Sequence, residues 1–226
     1  MSNHDQGDGH DDGDGHADGH EDHHDHGDDH DHGHDHADGH DHADDHADDH
    51  DHGDDHDHHH HDVATVGVAV VTVSSTRSVE EDAAGDAIVA AVEGAGHEVV
   101  VREVLADDYD GIQGRLDTLV SRGDVGCVVT TGGTGVTPDD VTIEAVRPLF
   151  EKELPGFGEL FRTLSREEIG TRVVGTRATA GVADGAVVFC LPGSENAARL
   201  GAEEILVAEV GHLVGLARRD EEETEE

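Results

Sequence analysis

The chain changes character at residue 62, and that break decides where a fold can form. Residues 1–62 hold 24 of the 55 acidic side chains and 21 of the 23 histidines, with no Lys or Arg and almost nothing apolar beyond Ala. A segment of this kind has too little apolar surface to offset the entropy of ordering it, so a disordered His/Asp-rich arm is expected over 1–62. The other 31 acids and all 13 bases fall in residues 63–226, a net charge of −18. That part is rich in Val and Ala and is long enough for one packed core. A single domain is expected over 63–217, followed by an acidic, frayed tail over 218–226.

Charge and residue usage exclude several classes. No stretch approaches the roughly 20 apolar residues of a membrane-spanning helix, and the N-terminus has neither the basic nor the apolar part of a secretory signal. A soluble, cytoplasmic protein is expected. A formal charge of −42 repels phosphate backbones and argues against a nucleic-acid partner. The bases are 12 Arg and the single Lys152, with only 2% aromatic residues. Such a surface holds water and cations and repels itself at low salt, which reads as adaptation to a salty cytosol. Cys127 and Cys190 lie inside apolar, strand-like runs, GCVVTT and VVFCLPG, and are expected to be buried thiols rather than a disulfide framework.

Apolar periodicity organises the folded part. Val63–Val73 is a near-continuous run of β-branched residues, the pattern of a strand buried on both faces. Helices are expected over Glu80–Ala95 and Tyr109–Ser121, with strands at His97–Leu105 and Val125–Thr131. Strand–helix–strand–helix–strand with short connections implies parallel pairing and right-handed crossovers, hence a doubly wound α/β fold with a mostly parallel sheet. Further helices are expected at Asp139–Phe150, Gly158–Glu168 and Glu195–Ala217. Strands Arg177–Val182 and Ala186–Leu191 flank Asp184-Gly185, a hairpin signal.

The segment most able to carry chemistry is Thr130–Thr142, TTGGTGVTPDDVT. Gly132, Gly133, Thr134 and Gly135 directly after a buried strand let the backbone approach a ligand and present its N–H groups, and a following helix N-terminus would add positive potential for a phosphate. Ligands of open α/β sheets bind beyond the carboxyl ends of the strands. Asp139 and Asp140 have two readings. Thr137 as N-cap, Pro138 as first helical residue and Asp140 in a capping box would explain them structurally. Alternatively, a carboxylate beside a bound phosphate calls for Mg²⁺ between them. Asp107 and Asp108, where the second strand ends, pose the same choice. Carboxylates from two strand ends would make a two-acid Mg²⁺ site, with Ser74 and Ser75 on the same edge. His97 and His212 read as structural.

The arm carries a repeat, His-(Ala/Gly)-Asp-(Asp/Gly)-His. It pairs His16 with His20, His36 with His40, and His42 with His46 and His50 at a spacing that would share a helix face. Imidazoles with flanking carboxylates can chelate Zn, Ni or Cu weakly; a merely solvating bristle is the plainer alternative.

Four ordered blocks, TTGGTGVTPDDVTIEAVRPLF, LPGFGELFRTLSREEIGT, RATAGV and LPGS, resemble the MoaB/MogA family of molybdenum-cofactor biosynthesis proteins over essentially all of 63–216. The resemblance implies a MogA-like domain that forms homotrimers or homohexamers, binds molybdopterin, and in active members adenylylates it with Mg²⁺ and ATP. Pyrophosphate is released, and a separate molybdenum-insertion protein acts next. By position it implies Asp140 and Asp107 as catalytic and Mg²⁺-binding acids. It implies Gly132–Gly135 as the phosphate loop, Ser74 and Ser75 as first-strand loop contacts, and Pro192, Gly193 and Ser194 as a pocket-edge loop. Ser75 stands where relatives often place an Asp. The alternative function is a non-catalytic molybdopterin carrier whose arm buffers Ni, Zn or Cu.

Overall fold

The structure, a computed structural model, describes residues 62–218. The arm with its histidines and the tail beyond 218 lie outside the described residues.

Six strands form one sheet in the spatial order β2-β1-β3-β6-β5-β4. They are β1 Gly67–Val73, β2 Glu98–Leu105, β3 Cys127–Thr131, β4 Lys152–Glu153, β5 Thr179–Ala183 and β6 Ala186–Leu191. β2, β1, β3 and β6 run parallel, and β5 and β4 are antiparallel to their neighbours. The helices are α1 Ala83–Gly94, α2 Tyr109–Val120, α3 Thr142–Val146, α4 Pro155–Ile169, α5 Glu195–Gly201 and α6 Val207–Ala217.

The continuous apolar run of β1 is explained by burial on both faces. Val68 and Val70 pack with Ile88 and Val92 of α1 and with Phe157 and Phe161 of α4, while Ala69 and Val71 pack with Ile112, Leu116 and Leu119 of α2. Each fully buried Val, Leu or Ile side chain contributes roughly 1.5–3 kcal/mol. The sheet is thus covered by α1, α4, α5 and α6 on one side and by α2 and α3 on the other, the doubly wound arrangement expected.

Most elements fall where periodicity places them, and the departures have local causes. The helix expected over Asp139–Phe150 is only α3 followed by one 3₁₀ turn, Arg147–Leu149, because Thr137–Asp140 closes a turn first: the Asp140 N–H donates to the Thr137 carbonyl (3.1 Å). The two-residue β4 escapes periodicity altogether. Pro155 opens α4 three residues earlier than expected. The final helix is continuous but contains a π-helical turn at Ala202–Leu206. Asp184 (φ 48°) and Gly185 (φ 70°) make the tight hairpin turn between β5 and β6. Cys127 and Cys190 are buried and unpaired; burial pushes the Cys190 thiol up to about 12 and raises Cys127 as well, so neither is a nucleophile at neutral pH. His97 accepts the Val66 N–H at its Nδ1 (3.2 Å), and His212 pairs with Asp62 (2.9 Å), so both serve the structure.

Candidate active site

β1, β3 and β6 are parallel neighbours, so the loops that follow them leave the sheet at one edge. β2 ends at the same edge beside β1. There they enclose a cleft of about 640 Å³. Of the site residues expected in the folded part, all but Ser75 line it: Ser74 after β1, Asp107 after β2, Gly132–Gly135 and Asp140 after β3, and Pro192, Gly193 and Ser194 after β6.

Backbone geometry explains the glycines. Gly132 (φ 104°) and Gly133 (φ 62°) adopt a conformation that side chains rarely take. A Cβ on Gly132 would lie 2.2 Å from the Val73 carbonyl oxygen, and one on Gly133 the same distance from the Thr142 hydroxyl. That hydroxyl donates to the Gly132 carbonyl (2.9 Å), and the Thr142 N–H donates to the carbonyl of Gly133 (3.1 Å). The Thr131 hydroxyl donates to the Pro192 carbonyl (2.9 Å), which braces the two loops against each other.

The paired acids separate into different roles. The Asp108 carboxylate accepts the Gly111 N–H (2.7 Å) and caps α2, whereas Asp107 faces the cleft. The Ser75 hydroxyl stands behind Asp107, donating to its Oδ2 (2.8 Å) and accepting its N–H (3.2 Å). Asp139 is exposed outside the cleft, and Asp140 lines it. Asp140 Oδ2 accepts from both the N–H (2.8 Å) and the hydroxyl (2.6 Å) of Thr137. Half of the anticipated capping box therefore exists, but it closes a turn rather than opening a helix. Burial works against ionisation of Asp140, yet the Thr137 hydroxyl and amide, the Gly135 amide and the Arg177 guanidinium outweigh it and hold the carboxyl below its ordinary range. The helix that follows is five residues long, begins only at Thr142 and has no side-chain cap. The positive potential expected from its N-terminus must come from loop amides and guanidinium groups instead.

Three arginines not anticipated from sequence supply that charge. Arg77 lines the cleft and is held by the Gly193 carbonyl (2.9 Å); Arg172 lines it from the 3₁₀ segment Gly170–Gly175. Neither has a carboxylate within ion-pairing distance among the described residues, although six other arginines do. Arg177 works from beneath: its Nε donates to the Gly135 carbonyl (2.7 Å), its Nη2 to the Asp140 carbonyl (3.0 Å), and its Nη1 pairs with Glu144.

The donor set is oxygen: two carboxylates with the hydroxyls of Ser74, Thr134, Thr137, Thr176 and Ser194. This suits a hard cation such as Mg²⁺ and not Zn or Cu. Among the described residues no group of three or more His, Cys, Asp or Glu is placed to hold a metal, so such a cation would take its remaining ligands from substrate and water.

Residues 69–212 match the model of the family described as a probable molybdopterin binding domain. The chain belongs to the MoaB/MogA family. Molybdenum cofactor biosynthesis protein B of Halalkalibacterium halodurans is 41% identical over 151 residues, which cover 66% of this chain and 89% of that protein. The Bacillus subtilis protein of the same name is 42% identical over 152 residues, 67% of this chain and 89% of its own. Among solved structures, the tungsten cofactor synthesizing protein MoaB from Pyrococcus furiosus is 42% identical, covers 68% of this chain and 98% of its own, and superposes with a TM-score of 0.62. MogA shares the fold at 27% identity and a TM-score of 0.60, covering 67% of this chain and 99% of its own. The match to this MoaB/MogA-family chain contains every cleft-lining residue.

Proposed function

We propose that this protein acts in molybdenum cofactor biosynthesis by binding molybdopterin and adenylylating it with ATP. The observation that carries the reading is the convergence of Asp107, Asp140, the glycine loop and the Pro192–Ser194 loop on one cleft. In the reaction, a terminal phosphate oxygen of molybdopterin forms a bond to the α-phosphorus of ATP, and the bond to the β-phosphate oxygen breaks as pyrophosphate leaves.

The chain's own residues have a positioning task, since several negative charges must be brought together and no covalent nucleophile is required. N–H groups of the glycine loop seat phosphate oxygens, and Arg77 and Arg172 offset their charge. Asp107 and Asp140 would hold Mg²⁺, which when bound shields the phosphates from one another and polarises the reacting phosphoryl group. A homotrimer or homohexamer that passes the adenylylated pterin to a separate molybdenum-insertion protein completes the proposal. Val136 (75% exposed) and Val174 (85% exposed), beside the cleft, support a face that meets another copy.

The test is incubation with molybdopterin, ATP and Mg²⁺, followed by detection of adenylylated pterin and pyrophosphate. Asp140→Asn keeps an oxygen to accept the Thr137 bonds, so the fold should persist while turnover falls on the order of 10²–10³-fold. Near-normal turnover of that variant would reduce Asp140 to a turn-closing residue. Pterin binding without adenylylation by the unaltered protein would favour the carrier reading.

A further inference from the structure

One wall of the cleft comes from residues 74–81, which join β1 to α1 and carry Arg77. Residues 75–81 are all exposed, so this segment buries nothing that would fix its own course. The Ser74 hydroxyl accepts the N–H groups of Thr76 (3.4 Å) and Arg77 (3.3 Å), a loose local turn. The two ends are fixed differently. Ser74 continues the sheet, its N–H donating to the Leu105 carbonyl (2.8 Å). Asp82 closes the other end and is only 1% exposed.

Asp82 makes more contacts than a helix cap requires. A cap needs one side-chain acceptor for a first-turn N–H, and Asp82 Oδ1 supplies it to Gly85 (3.0 Å). Oδ2 accepts the hydroxyl of Thr72 on β1 (2.6 Å), itself buried, and lies 3.8 Å from Nη2 of Arg102 on β2. The same Nη2 donates to the Asp82 carbonyl (3.4 Å) and to Asp86 (2.6 Å). Gly85 makes room for this arrangement, since a Cβ there would lie 2.0 Å from Asp82 Oδ2 and 3.1 Å from Thr72 Oγ1. A buried carboxylate persists where its oxygens are partnered, and here the partners come from β1, β2 and α1.

We propose that Asp82 is a positioning residue for the cleft. By tying the start of α1 to Thr72 and Arg102, it fixes the span that residues 74–81 must cover. It thereby holds Arg77 over the cleft against the Gly193 carbonyl (2.9 Å). Through the bond from Ser75 to Asp107 (2.8 Å), the same span also sets one of the cleft carboxylates. The role of Arg77 towards phosphate rests on the adenylyltransferase reading; the mechanical link from Asp82 to Arg77 stands apart from it.

The test uses the full chain and three variants. Asp82→Ser keeps a capping hydroxyl for Gly85 but loses the reach to Thr72 and Arg102. Thr72→Val removes the partner hydroxyl at nearly unchanged shape, and Thr72→Ser keeps it. Without ligand, the initial rate of tryptic cleavage after Arg77 should rise about tenfold in Asp82→Ser and Thr72→Val. Cleavage after Arg122, in the turn between α2 and β3, should stay unchanged, and Thr72→Ser should behave as the unaltered protein. Titration with Mg²⁺-ATP should show about tenfold weaker binding in the first two variants. Adding Arg77→Ala to either should weaken it no further, because the contribution of Arg77 is already lost. Equal acceleration at Arg77 and Arg122, unchanged cleavage after Arg77, or a loss that adds to that of Arg77→Ala would each overturn the proposal. If the unaltered chain failed to bind Mg²⁺-ATP, the adenylyltransferase reading would fall, and the cleavage rates would still decide the role of Asp82.

Discussion

Two adjacent acids can differ completely in role, and the backbone decides which is which. The chain bends at Asp107, where the Asp108 N–H donates to the Ala106 carbonyl (2.8 Å), so Asp108 turns back to cap α2 while Asp107 faces the cleft. The pair was legible in the sequence; the choice between its members was not, because it depends on where extended backbone gives way to helix. The same holds for Asp139 and Asp140, whose capping-box spacing was legible but closes a turn. Arg77, Arg172 and Arg177 were missed because nothing local marks an arginine as facing a loop that is distant in sequence, as Arg77 does at 116 residues from Gly193 and Arg177 at 42 from Gly135. Asp140 also carries a pH signature. Its carboxyl is held below the ordinary range against the effect of burial, so the folded state binds the ionised form more favourably than the unfolded state does. That stability is fully present above the unfolded value of about 4 and is lost as pH falls through the lower folded value. Thermal unfolding followed across this acid range should give a steeper loss for the unaltered protein than for Asp140→Asn. Parallel curves would show that the carboxylate contributes nothing to acid stability.

At the scale of elements, the strands and the long helices were readable because their burial is one-sided or complete and leaves a period. β4 and α3 were not, since two and five residues are too few to show one. What replaces helix α3 as the support of the site is a tertiary tie: Arg177, on the segment leading into β5, anchors the carbonyls of Gly135 and Asp140 together with Glu144. Removing it as Arg177→Ala should cost about 1–3 kcal/mol of stability. Hydrogen exchange should quicken across Gly135–Asp140, and affinity for phosphate-bearing ligands should weaken more than the global stability does. An exchange increase spread evenly over the sheet would mean that Arg177 supports the core and not the loop.

For the whole molecule, the long-range field and the local field oppose each other. Residues 63–226 carry −18, and the arm adds −24 at neutral pH, while the cleft places Arg77 and Arg172 where the proposed polyphosphate substrate would arrive. Repulsion from distant carboxylates is screened over roughly 10 Å at 0.1 M salt, but contacts at the loop are screened much less. Raising KCl from 0.1 to 2 M should therefore lower KM for ATP several-fold while kcat changes little; a KM that climbs with salt would mean the guanidinium groups dominate the approach. Sequence composition made this charge distribution plain, whereas the concentration of unpaired guanidinium at one sheet edge required the fold. The turn between β5 and β6 has its own practical consequence. Because β6 runs parallel to β3 and finishes at the cleft, Asp184-Gly185 sits at the opposite end of the sheet. A fluorophore or surface tether fixed at that tip would leave the mouth of the candidate site unobstructed.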